Sequence, residues 1–181
     1  MRKSLTICCL TSLFALAAVA TLRAQSNAPS SSTGSETILK ASEISSSNLF
    51  PDRVFYRGKT APSQLRNTGG IHFADGFYFL AGLVDTSGYS TAVAEKYQAY
   101  VIAEVALDFN GQQLKPGAYG AGFVGGKFIV TDLGANELFE VNAQRDTEMK
   151  RPIPLQVVAG AAAGAYRLYH GRDFVDFRRS Q

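Results

Sequence analysis

Residues 101–131 limit what this chain can fold into more than any other stretch. Every second residue at the start of this stretch is apolar, which is typical of a strand with one buried face. Asn110-Gly111 and Gly125-Gly126 favour tight hairpin turns, and strand-like sequence follows each of them. We therefore expect an antiparallel meander here. The alternating apolar residues are Val101, Ala103, Val105, Leu107 and Phe109.

Strand and turn signals recur along the rest of the chain. Residues 77–84, FYFLAGLV, include no polar residue, so both faces of this strand should be covered. Pro152 and Pro154 allow only an edge strand over residues 153–158, because proline cannot donate to a ladder. Residues 91–97 predict a short helix. The pattern predicts an all-β fold, an antiparallel sandwich or partly closed barrel of about ten short strands with one short helix.

The N-terminus has the pattern of an export signal over residues 1–24. Arg2 and Lys3 precede an apolar run, and small residues end it, with cleavage expected after Ala20 or Ala24. The run is short for a retained membrane anchor, which needs about 20 apolar residues. We therefore expect an exported protein, periplasmic or extracellular, that does not span a membrane once the signal is removed.

Two further segments follow the expected signal. Residues 25–48 are rich in serine and predict a flexible linker, and residues 49–181 predict a single β-domain. Cys8 and Cys9 lie within the signal, so the exported chain would contain no cysteine, no disulfide and no thiolate. Such a domain must be held together by its apolar core.

The net charge of +3 belongs to the expected signal rather than to the domain. Without Arg2, Lys3 and Arg23, the chain would carry 15 basic and 15 acidic residues. A neutral domain gives no argument for nucleic acid as a partner. Locally, however, residues 53–66 are basic, which indicates either an anion-binding patch or a solvated loop face. The basic residues there are Arg53, Arg57, Lys59 and Arg66.

Both histidines lie next to a predicted turn that also holds an aspartate. His72 is followed by Asp75, and His170 by Asp173. If the two hairpins met in space, these side chains could form an acid–base pair or bind a metal. The spacing of the histidines matches no metal-ligand motif, and turn aspartates commonly bind backbone groups. We therefore predict neither a metal nor a cofactor, and retain the four residues as a minor catalytic candidate.

Aromatic residues offer a second kind of site. Five tyrosines could line a groove for a sugar or another small ligand, although tyrosine in a β-domain also fills the core with its hydroxyl at the rim. The five candidates are Tyr97, Tyr100, Tyr119, Tyr166 and Tyr169.

One motif carries a resemblance. Residues 111–119, GQQLKPGAY, resemble the G-x-x-L-x-P-G-x-Y element of small exported bacterial β-domain proteins of unknown function. The resemblance implies a β-sandwich and export, and it carries over no catalytic residue. Its physical content is a turn in which Pro116 fixes φ, Gly117 takes the positive φ and Tyr119 re-enters the sheet.

Three functions compete at this point. The first is non-catalytic binding of a small ligand or a protein partner, which fits the neutral charge and the absence of a nucleophile motif. The second is an exported enzyme that uses the histidine–aspartate group. The third is a small outer-membrane β-barrel, although many of the expected strands are shorter than the 9–11 residues that such barrels need. We predict the first.

Overall fold

The computed structural model describes residues 35–180, which fold into fourteen strands and two short helices. In chain order these are β1 (Thr37–Lys40), α1 (Ala41–Ser46), β2 (Arg53–Tyr56), β3 (Lys59–His72), β4 (Tyr78–Val84), α2 (Thr91–Lys96), β5 (Ala99–Ala103), β6 (Leu107–Phe109), β7 (Gln112–Leu114), β8 (Gly117–Val124), β9 (Lys127–Thr131), β10 (Glu137–Asn142), β11 (Gln144–Arg145), β12 (Leu155–Ala159), β13 (Ala165–His170) and β14 (Asp173–Arg179).

All strands pair antiparallel and form two sheets. Sheet I has eight strands in the order β1-β3-β4-β5-β8-β9-β10, with β2 paired to the far end of β3. Sheet II has six strands in the order β12-β13-β14-β6-β7, with β11 paired to β14. Sequence alone left a sandwich and a partly closed barrel open, and the two separate sheets show the sandwich. The prediction of an all-β fold is confirmed.

The apolar side chains form two cores, one on each face of sheet I. The inner core lies between the sheets, where Phe109 of sheet II stacks on Phe128 of sheet I at 5.4 Å and on Phe177 at 5.1 Å. The outer core lies on the other face of sheet I and is covered by α1, α2 and β2. Its members include Ile44, Phe50, Tyr56, Leu80, Tyr97 and Tyr100.

The central strand β4 is covered on both faces, as its apolar sequence predicts. Phe79 and Ala81 point into the inner core, while Leu80 and Val84 point into the outer core. The edge position expected from the two prolines is also confirmed, because β12 pairs only with β13 among the described strands.

The meander differs from its prediction in one respect. The alternation from Val101 to Phe109 predicts one continuous strand, but the chain leaves sheet I after β5 and enters sheet II at β6. The alternation survives this crossing because both sheets turn their inner faces to the same core. The expected turn at Asn110-Gly111 forms, and both residues have positive φ, at 49° and 90°.

The motif at residues 111–119 returns the chain to sheet I. Leu114 is buried in the inner core, and β8 begins at Gly117, directly after the proline. The Tyr119 hydroxyl donates to the Lys115 carbonyl at 2.9 Å. A Cβ on Gly117 would lie 2.8 Å from that hydroxyl, so glycine leaves the space that the tyrosine ring needs.

The domain begins earlier in the chain than we expected. The prediction of a flexible linker over residues 25–48 is wrong for its second half, where β1 pairs with β3 and α1 follows at once. Ile44 of α1 is fully buried in the outer core, so this serine-rich segment contributes to the fold. A second helix was also not expected. The predicted export signal and the predicted linker as far as residue 34 lie outside the described residues.

Candidate functional site

The structure does not bring the two histidines together. His72 lies in β3 between Ile71 and Phe73, which face the inner core, so its ring is on the outer face of sheet I, stacked on Tyr78 at 4.5 Å. His170 lies in sheet II and stacks on Phe123 of the inner core at 6.0 Å.

The histidines are also far apart along the strands. Ladder pairs place Ile71, beside His72, level with Gly117 at the start of β8. Phe123, the neighbour of His170, is six residues further along β8, a distance of about 20 Å at the rise of a strand. The hypothesis of a catalytic or metal site shared by the two histidines is therefore wrong.

The two aspartates of this group form ion pairs at the surface. Asp75 pairs with Arg179 at 2.6 Å, and this arginine lowers the pKa of the Asp75 carboxyl. Asp173 pairs with Arg145 at 2.7 Å. Within residues 35–180, no three His, Cys, Asp or Glu side chains are grouped closely enough to hold a metal ion.

The five tyrosines occupy three different environments. Tyr97 and Tyr100 lie in the outer core, Tyr166 lies in the inner core, and Tyr119 packs against that core from its margin. Tyr169 points to the opposite face of sheet II, where its ring stacks on Phe174 at 4.9 Å. They do not line a common groove: four of the rings belong to the two cores or their margin, and Tyr169 is buried on the far face of sheet II.

A groove does exist at one side of the sandwich. We call it the edge groove, and it is lined by residues 38–42, 66–69 and 153–159. Its walls are the two edge strands, β1 of sheet I and β12 of sheet II, together with the start of α1. It encloses about 570 Å³, within the usual size range of small-molecule sites.

The floor of the groove depends on a glycine. Gly69 of β3 faces β12, and a Cβ at this position would lie 2.8 Å from the Val157 backbone nitrogen. Glycine therefore lets the edge strand of sheet II lie close against sheet I.

One rim of the groove is built by a bulge in β3. Ser63 is paired with Val84 and Thr68 with Gly82, so the residues between them bulge out of the ladder. The bulge is held by its own side chains, because the Thr68 hydroxyl donates to the Leu65 carbonyl at 2.9 Å and Asn67 donates to Gln64 at 2.8 Å. A bulge re-aims side chains, and here it exposes Arg66 at the groove.

The groove is apolar with a cationic rim. Leu155 and Val157 are buried along one wall, and Ile153 is 46% exposed at the mouth. Lys40 and Arg66 are its charged members, and no acidic side chain is present among the described residues that line it. Neither cation forms an ion pair with any carboxylate in the part of the chain that the structure describes.

Sequence reasoning found only part of this site. It placed Arg66 in a basic region and β12 at an edge, but it assigned Ile38, Leu39 and Lys40 to a linker. The available signal was the short apolar pair Ile38-Leu39 within the serine-rich segment. The other basic residues of that region lie elsewhere: Arg53 donates to Thr60, and Lys59 to the Gly88 carbonyl.

Within residues 35–180, no helix is long and apolar enough to cross a bilayer. Comparison of this chain with protein-family models, with curated proteins and with solved structures finds no match.

Proposed function

We propose that this protein is an exported, non-catalytic binding domain and that the edge groove is its binding site. The observation that carries the proposal is the groove itself: an apolar concavity of about 570 Å³ between two sheet edges. Ligand sites in proteins are typically concave and mostly apolar, with a few polar groups that fix orientation. Arg66 and Lys40 would be those groups here.

The exposure of Ile153 supports the same site. Large apolar side chains that are half exposed are few in the described residues, and one of them lies at the mouth of the groove. An apolar ligand would cover Ile153 and remove its surface from water, which is favourable by about 25 cal/mol per Å². The histidine–aspartate candidates, in contrast, are separated or ion-paired, which favours binding over catalysis.

A neutral fluorescent probe tests the site. N-phenyl-1-naphthylamine is apolar and uncharged, and we expect the protein to bind it and increase its fluorescence. Ile153→Glu should weaken binding about tenfold, because a carboxylate at the mouth must be desolvated when the probe enters. The readout is a fluorescence titration, with circular dichroism to verify that the variant is folded.

Leu138→Glu is the matched control. Leu138 is exposed to the same degree, 49% against 46% for Ile153, but it lies in β10 at the opposite edge of sheet I. This variant should bind the probe like the unchanged protein. Equal affinity in both variants would place the probe elsewhere and contradict the proposed site.

Export rests on residues 1–24 and is tested separately. We expect the protein recovered outside the cytoplasm to begin at Thr21 or Gln25, as intact-mass spectrometry would report. Recovery of the full-length chain from the cytoplasm alone would overturn this part of the proposal and leave the binding site untouched.

A further inference from the structure

We infer that the ligand of the edge groove is an anionic amphiphile, a single alkyl chain that ends in a carboxylate. The inference rests on the proposed function and names the chemical class of its ligand. It combines two features of one groove, an apolar wall and a rim of unpaired positive charge.

The apolar wall suits an alkyl chain. β12 runs along the groove for five residues, about 16 Å at the rise of a strand. Leu155 and Val157 of this strand and Ile38 of β1 supply branched aliphatic side chains along it. An aliphatic wall without aromatic rings gives no stacking platform for a planar ligand or a sugar, and it matches the shape of a flexible chain.

The rim supplies the charge. Lys40 lies where β1 passes into α1, and Arg66 lies on the β3 bulge, which the side chains of Thr68 and Asn67 hold in place. The nearest acidic residue in sequence, Glu43, accepts from the Lys40 backbone N–H at 2.7 Å, which holds its carboxylate at the start of the helix. Arg66 presents the planar fork that binds a carboxylate with two parallel hydrogen bonds.

Six other Lys and Arg side chains of the described residues form ion pairs with carboxylates. At the far edge of sheet I, Lys96 pairs with Glu137 and Lys127 pairs with Glu140. On sheet II, Arg167 pairs with Asp176 at 2.9 Å. The two groove cations form no ion pair among residues 35–180, and no carboxylate lines the groove within that range.

Displacement of the neutral probe compares two ligands that differ only in charge. The exported protein is first saturated with the neutral probe. Dodecanoate or its uncharged methyl ester is then added at concentrations below those at which micelles form, and the loss of probe fluorescence is measured. We expect dodecanoate to bind about tenfold more tightly than the ester, and this preference to shrink as salt is raised.

A double variant assigns the preference to the two cations. Lys40→Gln with Arg66→Gln should lower the affinity for dodecanoate about tenfold and leave that for the ester unchanged. Arg57→Gln with Lys115→Gln removes the same charge from exposed residues outside the groove and should keep the preference. All four positions are exposed, so these variants should fold, which circular dichroism verifies.

Each other outcome overturns the inference in a distinguishable way. If the unchanged protein binds the acid and the ester equally well, the inference that the ligand is anionic is wrong, while the proposed binding function still holds. Displacement by an uncharged extended peptide, acetyl-Val-Thr-Val-Thr-Val-amide, but by neither alkyl ligand would assign the groove to a protein partner. Failure of the neutral probe to bind at all would overturn the proposed function as well.

Discussion

Tyr56 and Tyr97 stack face to face in the outer core, but their hydroxyl groups differ. Their ring centroids are 3.7 Å apart and their planes differ by 11°. The Tyr56 hydroxyl is hydrogen-bonded to the Thr131 hydroxyl at 2.7 Å, whereas the buried Tyr97 hydroxyl has no partner within the described chain. Burial also raises the pKa of Tyr97 far above that of free tyrosine, so the group stays neutral.

Removing these two hydroxyls should therefore have different effects on stability. Tyr97→Phe should leave the free energy of unfolding unchanged or raise it by up to about 1 kcal/mol, because a buried hydroxyl without a partner is costly. Tyr56→Phe should lower it by about 1 kcal/mol through the lost hydrogen bond. Urea denaturation of both variants measures the difference, and a larger loss in Tyr97→Phe would show that its hydroxyl is satisfied in solution.

His170 is half-buried against the inner core, and this position changes its protonation. Burial lowers the pKa of His170 below its ordinary value of 6.5, and the nearby carboxylate of Asp173 offsets only part of this effect. The unfolded chain therefore binds a proton at His170 more readily than the folded chain does. The stability linked to this group is present above about pH 6.5 and is lost as the pH falls toward the folded-state pKa.

We expect the unfolding free energy of the protein to decrease as the pH falls from 7 to 5. His170→Gln keeps a side chain of similar size without the titration, so its stability should change less over the same interval. Urea denaturation at a series of pH values provides the measurement. If protein and variant lose the same stability between pH 7 and 5, His170 is not the group responsible.

At the scale of elements, α1 is the clearest departure from what composition suggests. Its sequence, ASEISS, is mostly small and polar, and such segments are commonly linkers. One residue makes this segment part of the fold, because Ile44 is fully buried between α1 and sheet I. A single well-placed aliphatic side chain anchors the segment, and the pairing of β1 with β3 supplies the rest.

Ile44→Ala should therefore cost about 3 kcal/mol of stability, in the range for truncating a buried isoleucine. Ser45→Ala, at the exposed neighbouring position, should change stability by less than about 0.5 kcal/mol. Chemical denaturation of the two variants compares them directly. Similar small effects in both would mean that residues 41–46 behave as the linker that their composition suggests.

The glycines of β8 show how an element is fitted to its neighbours. A Cβ on Gly120 would lie 2.6 Å from the Tyr56 ring, and one on Gly122 would lie 2.7 Å from the Lys96 carbonyl of α2. These glycines leave room for the tyrosine stack and the helix on the outer face of sheet I. Their spacing can be mistaken for a phosphate-binding loop, but they lie within a strand, where they allow close packing.

At the scale of the whole molecule, the chain passes between the two sheets three times within the described residues. It crosses after β5, returns before β8, and crosses again after β10. Strand β6 therefore pairs with β14, which lies about 70 residues later in the chain. Neither sheet can be completed without segments from both halves of the sequence.

We expect residues 35–180 to unfold in one cooperative transition, because the inner core belongs to both sheets at once. Far-ultraviolet circular dichroism reports the strands, and near-ultraviolet circular dichroism reports the packed tyrosines. The two signals should give the same midpoint in urea. Two separated transitions would show that the sheets are independent folding units.

The predictions that were confirmed depend on residues that are close together in the sequence. The alternation from Val101 to Phe109, the apolar run of β4 and the turn at Asn110-Gly111 each depend on residues within one or two strands of each other. The predictions that were wrong depend on which distant segments of the chain lie next to each other. Whether His72 and His170 meet depends on sheet, face and register, none of which local periodicity records.

The sequence by itself therefore determined the class of fold, the turns and the alternation of buried side chains, because backbone sterics and the period of a strand act locally. Only the tertiary structure decided which edges lie side by side. The edge groove joins residues 38–42 with residues 153–159, more than a hundred positions apart, and Gly69 of β3 lets β12 lie close against sheet I. The binding site is a product of that packing, since no single segment contains enough of it to be recognised alone.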